Sequence, residues 1–200
     1  MKRTTWRHGD RCGLLVSVRD ADEAWEAVAG GATVIDVKEP LAGPLGPASP
    51  AMTASIARVV GETVPWTMAC GECAAGTDVI RDHVSRVLDA LDAAAAPPRA
   101  VKAGLADAGR DWRRMVAAFV DAVPRGIEPI VAAYGDWESA AAPDPGAVIR
   151  AAADCGCRTV LIDTFDKGEA GLLQTCGIES LVGWLAAAHA VGMEVAVAGG

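Results

Sequence analysis

Seven short runs rich in β-branched and small apolar residues alternate with six stretches of helical periodicity, and no linker or composition break interrupts them. The runs predict strands at Leu14–Val18, Thr33–Val37, Pro65–Ala69, Ala100–Leu105, Pro129–Ala133, Thr159–Asp163 and Glu194–Ala198. Between them, helices are predicted over Ala21–Ala29, Pro50–Val60, Val79–Ala94, Asp111–Val123, Pro145–Cys155 and Glu179–Val191. Asp20 caps the first, with Glu23 as its capping-box partner; Ser49 and Asp144 cap the second and fifth. Helix-separated strands pair in parallel, so one α/β domain is expected over residues 1–200.

Two parallel architectures fit. A doubly wound sheet usually carries Gly-x-Gly-x-x-Gly after its first strand, and none stands here. Short strands with charged carboxyl ends point instead to a TIM (β/α)₈-type barrel, whose active sites lie on that face. The count falls one strand and two helices short, so the barrel is expected to be truncated after its seventh strand.

With 52% hydrophobic residues, 200 residues suffice for a substantial core. No apolar run reaches the roughly 20 residues of a membrane span. Met1–Cys12 is basic and polar and lacks the apolar stretch of a secretory signal; a loose tail over 1–12 and a cytoplasmic protein are expected. A net charge of −8 argues against nucleic acid as a partner. The six cysteines read as reduced thiols, and Cys70-Gly71-Glu72-Cys73 has no second Cys-x-x-Cys to complete a zinc site. His8, His83 and His189 are too far apart in sequence to show metal-ligand spacing.

The chemistry concentrates at strand ends. In Thr33-Val-Ile-Asp-Val-Lys-Glu-Pro40, alternation places Asp36 and Lys38 on one face. Lys102 sits in the fourth strand, Asp163 ends the sixth, and Lys167 follows it. Singly, each reads as a buried ion pair. Together, three lysines and two aspartates at one mouth read as a site. Neighbouring ammonium groups and an apolar wall both disfavour charge, so one lysine can be a neutral amine. A neutral amine adds to a carbonyl to form a Schiff base, and a second lysine or an aspartate can move the proton. This chemistry needs neither metal nor cofactor.

At these residues the chain resembles the (5-formylfuran-3-yl)methyl phosphate synthases of methanofuran biosynthesis. The resemblance runs from Leu14 to the end. It is carried by Leu15-Val16-Ser17, Ile35-Asp36-Val37-Lys38-x-Pro40, Gly43-x-Leu45-Gly46, Val101-Lys102-x-Gly104-Leu105, Asp163-Thr164-x-x-Lys167 and Ala198-Gly199. It implies a TIM-barrel lyase that joins two glyceraldehyde 3-phosphate molecules into 4-(hydroxymethyl)-2-furancarboxaldehyde phosphate. It further implies Lys38 as the Schiff-base lysine and Lys102 as the proton-transfer residue, with Asp36, Asp163 and Lys167 assisting. Ser17, Gly199 and Gly200 are the expected substrate and phosphate contacts.

Family chains continue past this Ala-Gly with a helix, an eighth strand, a Gly-rich phosphate loop and a last helix. An incomplete phosphate site is therefore expected, with open edges at the first and seventh strands that favour a homo-oligomer. Two other readings stay open on the sequence: a different Schiff-base aldolase for a phosphorylated aldehyde, and a non-catalytic remnant that binds a partner.

Overall fold

The structure is a computed structural model that describes residues 12–92, 95–168 and 170–199. Residues 1–11 of the expected tail over 1–12, residues 93–94, Glu169 and Gly200 lie outside the described residues.

The strands are β1 (Leu15–Val18), β2 (Val34–Val37), β3 (Trp66–Glu72), β4 (Ala100–Gly104), β5 (Glu128–Tyr134), β6 (Thr159–Asp163) and β7 (Glu194–Val197). The helices between them are α1 (Ala21–Ala29), α2 (Pro50–Val60), α3 (Thr77–Ala90), α4 (Trp112–Ala122), α5 (Pro145–Asp154) and α6 (Leu172–Ala190). Each strand pairs in parallel with the next in sequence, giving one seven-stranded sheet ordered β1 to β7. Every helix packs against its successor, so all six cover the same face of the sheet. A doubly wound sheet would divide them between two faces. The arrangement is the (β/α) barrel type.

Strand alternation sorts the side chains onto the two faces. Ile35, Val37, Met68, Val101, Val131 and Val160 face outward and pack with Ile56, Val84, Val116 and Ile149 of the helices. Ala69, Ala100, Ile130, Ala132 and Leu161 line the inner side. Small inner residues let the sheet curl tightly and leave room for the few long polar side chains among them.

Three local expectations are corrected. Ser49 and Asp144 cap their helices through Met52 N–H and Ala147 N–H, but Glu23 closes no capping box. Its carboxylate accepts from the backbone N–H and guanidinium of Arg19 instead, while Asp20 accepts from Glu23 N–H at 2.9 Å. The last helix begins at Leu172 rather than Glu179, with a break at Gly177, where φ is +74°. Buried Leu172 anchors that extra turn, its N–H donating to Gly199 O at 2.7 Å. β3 runs to Glu72 because it carries a bulge. Ala69 pairs with Lys102 and Glu72 with Gly104, so three steps on β3 match two on β4. Gly71, at φ +87°, takes the left-handed conformation that the extra residue needs.

Candidate active site

Ser17, Asp36 and Thr67 stand side by side on β1, β2 and β3. Asp36 is 1% exposed, and a carboxylate so deep must be fully partnered. Its Oδ1 accepts from Thr67 Oγ1 at 2.7 Å and its Oδ2 from Ser17 Oγ at 3.1 Å. The counter-charge is Lys102, whose Nζ lies 2.5 Å from Oδ2. Lys102 belongs to β4 and is itself buried. The aspartate that the sequence sets beside Lys38 is therefore paired with a lysine two strands away.

Lys38 extends β2 by one residue, its N–H donating to Val18 O at 3.2 Å, and so keeps its side chain on the inner face with Asp36. It is half-buried. Among the described residues its Nζ has no hydrogen bond or ion pair. Burial pushes its pKa below the ordinary lysine value; Asp163 and Asp36 oppose that shift, and Lys167 and Lys102 reinforce it. An open cavity of about 530 Å³ on the β1 side, lined in part by Ser17, Arg19, Glu23 and Pro40, reaches Lys38.

Asp163, buried at the end of β6, holds the third lysine. Lys167 Nζ donates to Asp163 Oδ1 at 2.7 Å and to Thr164 O at 2.6 Å, while the Lys167 side chain remains 36% exposed. The structure thus gathers all five charged residues at one end of the sheet. Each carboxylate is already taken by another lysine, which leaves Lys38 as the amine without a direct counter-ion.

Two polar groups of this end were absent from the sequence reading. The β3 bulge turns Glu72 inward, and Tyr134, fully buried at the end of β5, donates to its Oε1 at 2.6 Å. Glu72 Oε2 accepts from Ala106 N–H at 2.8 Å. The pair forms a bar across β4, passing over Gly104. A Cβ at Gly104 would lie 2.2 Å from Glu72 Oε2 and 2.3 Å from Tyr134 Oη. Burial raises the Glu72 pKa against the lowering effect of both hydrogen bonds. A glycine two residues after Lys102, on the same face, was the available signal.

Of the expected substrate contacts, Ser17 is exposed but donates to Asp36. Gly199, at φ +102°, packs its backbone on Thr164 and Leu172. Gly200 lies outside the described residues. Cys70, Cys73 and Cys157 are buried free thiols, each pushed up to about 12 chiefly by desolvation. Among the described residues no group of His, Cys, Asp and Glu is arranged to hold a metal ion, and no helix is long and apolar enough to cross a membrane.

Known proteins resemble this chain in sequence and in fold. The (5-formylfuran-3-yl)methyl phosphate synthase of Methanococcus maripaludis strain C6 is 32% identical over 93% of this chain and 78% of its own length. The Methanocaldococcus jannaschii protein of the same name is 31% identical over 93% of this chain and 79% of its own. Among solved structures, deoxyribose phosphate aldolase from Aeropyrum pernix superposes with a TM-score of 0.61 at 15% identity, over 94% of this chain and 75% of that one, a likeness of fold. The family model described as 4-HFC-P synthase matches residues 14–200, which include every charged residue gathered above, and the chain belongs to that family.

Proposed function

We propose that this chain condenses two glyceraldehyde 3-phosphate molecules into 4-(hydroxymethyl)-2-furancarboxaldehyde phosphate, a step of methanofuran biosynthesis, through a Schiff base on Lys38. One observation carries the reading. Lys38 is a half-buried amine whose pKa burial pushes below the ordinary lysine value, at the edge of an open cavity and with no hydrogen bond or ion pair of its Nζ among the described residues.

A neutral amine adds to the aldehyde carbon, and loss of water gives the imine. Protonated, the imine draws electrons from the neighbouring carbon and acidifies its hydrogen. The carbanion equivalent so formed attacks the second aldehyde. Later eliminations of phosphate and water lead to the furan ring. Each of these steps moves a proton, and two lysine–carboxylate pairs stand ready to move it. Lys102 acts from the buried side through Asp36. Lys167 acts from the open side, held by Asp163 and Thr164.

Borohydride reduction in the presence of glyceraldehyde 3-phosphate should attach a reduced adduct to Lys38, located by peptide mass spectrometry. Lys38→Arg should abolish both label and product while leaving the melting temperature nearly unchanged, because a permanently charged guanidinium forms no imine. Label on Lys102 or Lys167 with Lys38 unmodified would reverse the assignment. A product other than the furan phosphate would point to a different aldol chemistry on the same lysine.

A further inference from the structure

Strand β5 leaves the sheet through Tyr134-Gly135-Asp136, and these three residues grip the end of β6 and the segment after it. Asp136 Oδ1 accepts from Phe165 N–H at 2.7 Å, and its Oδ2 accepts from Asp166 N–H at 2.8 Å. Gly135 N–H donates to Asp163 O at 2.8 Å. The Tyr134 ring meets the Phe165 ring edge-on, with centroids 5.5 Å apart. A carboxylate that takes two successive backbone N–H groups, one on each oxygen, fixes the local chain direction more firmly than a single neutral bond would. Lys167 follows directly, its ammonium folded back onto Asp163 and Thr164.

We propose that Asp136 is a positioning residue for the reaction: by clamping the N–H groups of Phe165 and Asp166 it fixes where the Lys167 ammonium stands relative to Lys38. The inference rests on the reading that Lys167 moves protons in the reacting site. Asp136 does not touch the imine carbon in this scheme. It acts on the steps after imine formation, through the placement of Lys167. Displacing a proton-transfer group by about 1 Å can cost on the order of 100-fold in rate.

The test uses Asp136→Ala and Asp136→Asn in the 200-residue chain. Three readouts are taken: amide hydrogen exchange across residues 164–168, steady-state turnover of glyceraldehyde 3-phosphate, and borohydride labelling of Lys38. For the alanine variant, exchange at Phe165 and Asp166 should accelerate about tenfold or more. Its kcat should fall roughly 10- to 100-fold with KM changed by less than about threefold, and Lys38 should label as in the parent chain. Asparagine keeps one acceptor oxygen and should lie between the two. Parental kcat alongside accelerated exchange would overturn the proposal, as would unchanged exchange. Should the alanine variant fail to fold, the asparagine variant decides by the same readouts. If the parent chain takes no label at Lys38, the Schiff-base reading falls, while exchange and kcat still decide the role of Asp136.

Discussion

Lys102 Nζ and Asp36 Oδ2 lie 2.5 Å apart in a region where both side chains are almost wholly buried. That contact takes from Lys38 the carboxylate that shares its face of β2. A carboxylate shared equally between the two lysines would hold both in the charged form. Committed to Lys102, it leaves the more accessible amine governed mainly by desolvation.

Removing one member of the buried pair should be far worse than removing both charges. Lys102→Met leaves Asp36 buried between two hydroxyls without its counter-ion, at an expected loss of about 3–5 kcal/mol in unfolding free energy. Adding Asp36→Asn to that variant should recover much of the loss, and activity should stay absent in both. Urea unfolding of the parent, single and double variants gives the coupling. Strictly additive losses would mean that the two side chains do not meet in solution.

The Lys38 shift predicts the pH dependence of imine formation. Its pKa in the folded chain lies below the ordinary 10.5, so between those two values the unfolded chain binds more protons. The destabilisation from charging Lys38 is then fully present below the folded value and fades as pH rises toward 10.5. Reactivity follows the same titration, since only the neutral amine attacks. The initial rate of borohydride trapping should climb with pH and level off below the titration of a free lysine. A midpoint at the free-lysine value would show that burial does not depress this amine.

Gly104→Ala tests the bar above β4. The added methyl would meet Glu72 Oε2 at 2.2 Å and Tyr134 Oη at 2.3 Å. Tyr134 is fully buried and Glu72 is held by two hydrogen bonds, so neither can swing aside freely. A loss of about 1–3 kcal/mol is expected, the range for overpacking a close-fitted site. Placed on a Tyr134→Phe background, which removes one of the three oxygens the methyl would meet, Gly104→Ala should cost less. Equal losses on both backgrounds would place the hydroxyl elsewhere.

The strands and the inner-face residues were legible because both follow from local rules. β-Branched runs mark the strands, and alternation puts Asp36 and Lys38 on one face of theirs without knowledge of any neighbour; Lys102 and Asp163 join them only through the barrel that the strand order implies. What could not be read depends on lateral register. Asp36 finds Lys102 across β3, and no local pattern states how far β4 slides along it. Glu72 is the sharper case. Counting by twos from Thr67 and Ala69 sends it toward the helices, and only the extra residue near Gly71 turns it inward. Asp136 was hidden for a third reason: its partners are backbone N–H groups 29 and 30 residues ahead, and a backbone N–H carries no sequence signature. Leu172, read as loop, became helix because its apolar side chain had a buried place to go.

At the opposite end of the sheet, Glu128 on β5 is buried and accepts from Thr159 Oγ1 at 2.6 Å and from the Arg158 guanidinium at 3.0 Å. Strand β6 thus begins at one charged cluster and ends, at Asp163, in the other. At about 3.3 Å per residue the two stand roughly 13 Å apart. Arg158 and Lys167, the solvent-exposed members of the two clusters, are screened from each other beyond a Debye length of about 8 Å. On the role proposed above for Lys167, substitutions at Arg158 and at Lys167 should act as separate traits, the first leaving turnover nearly unchanged.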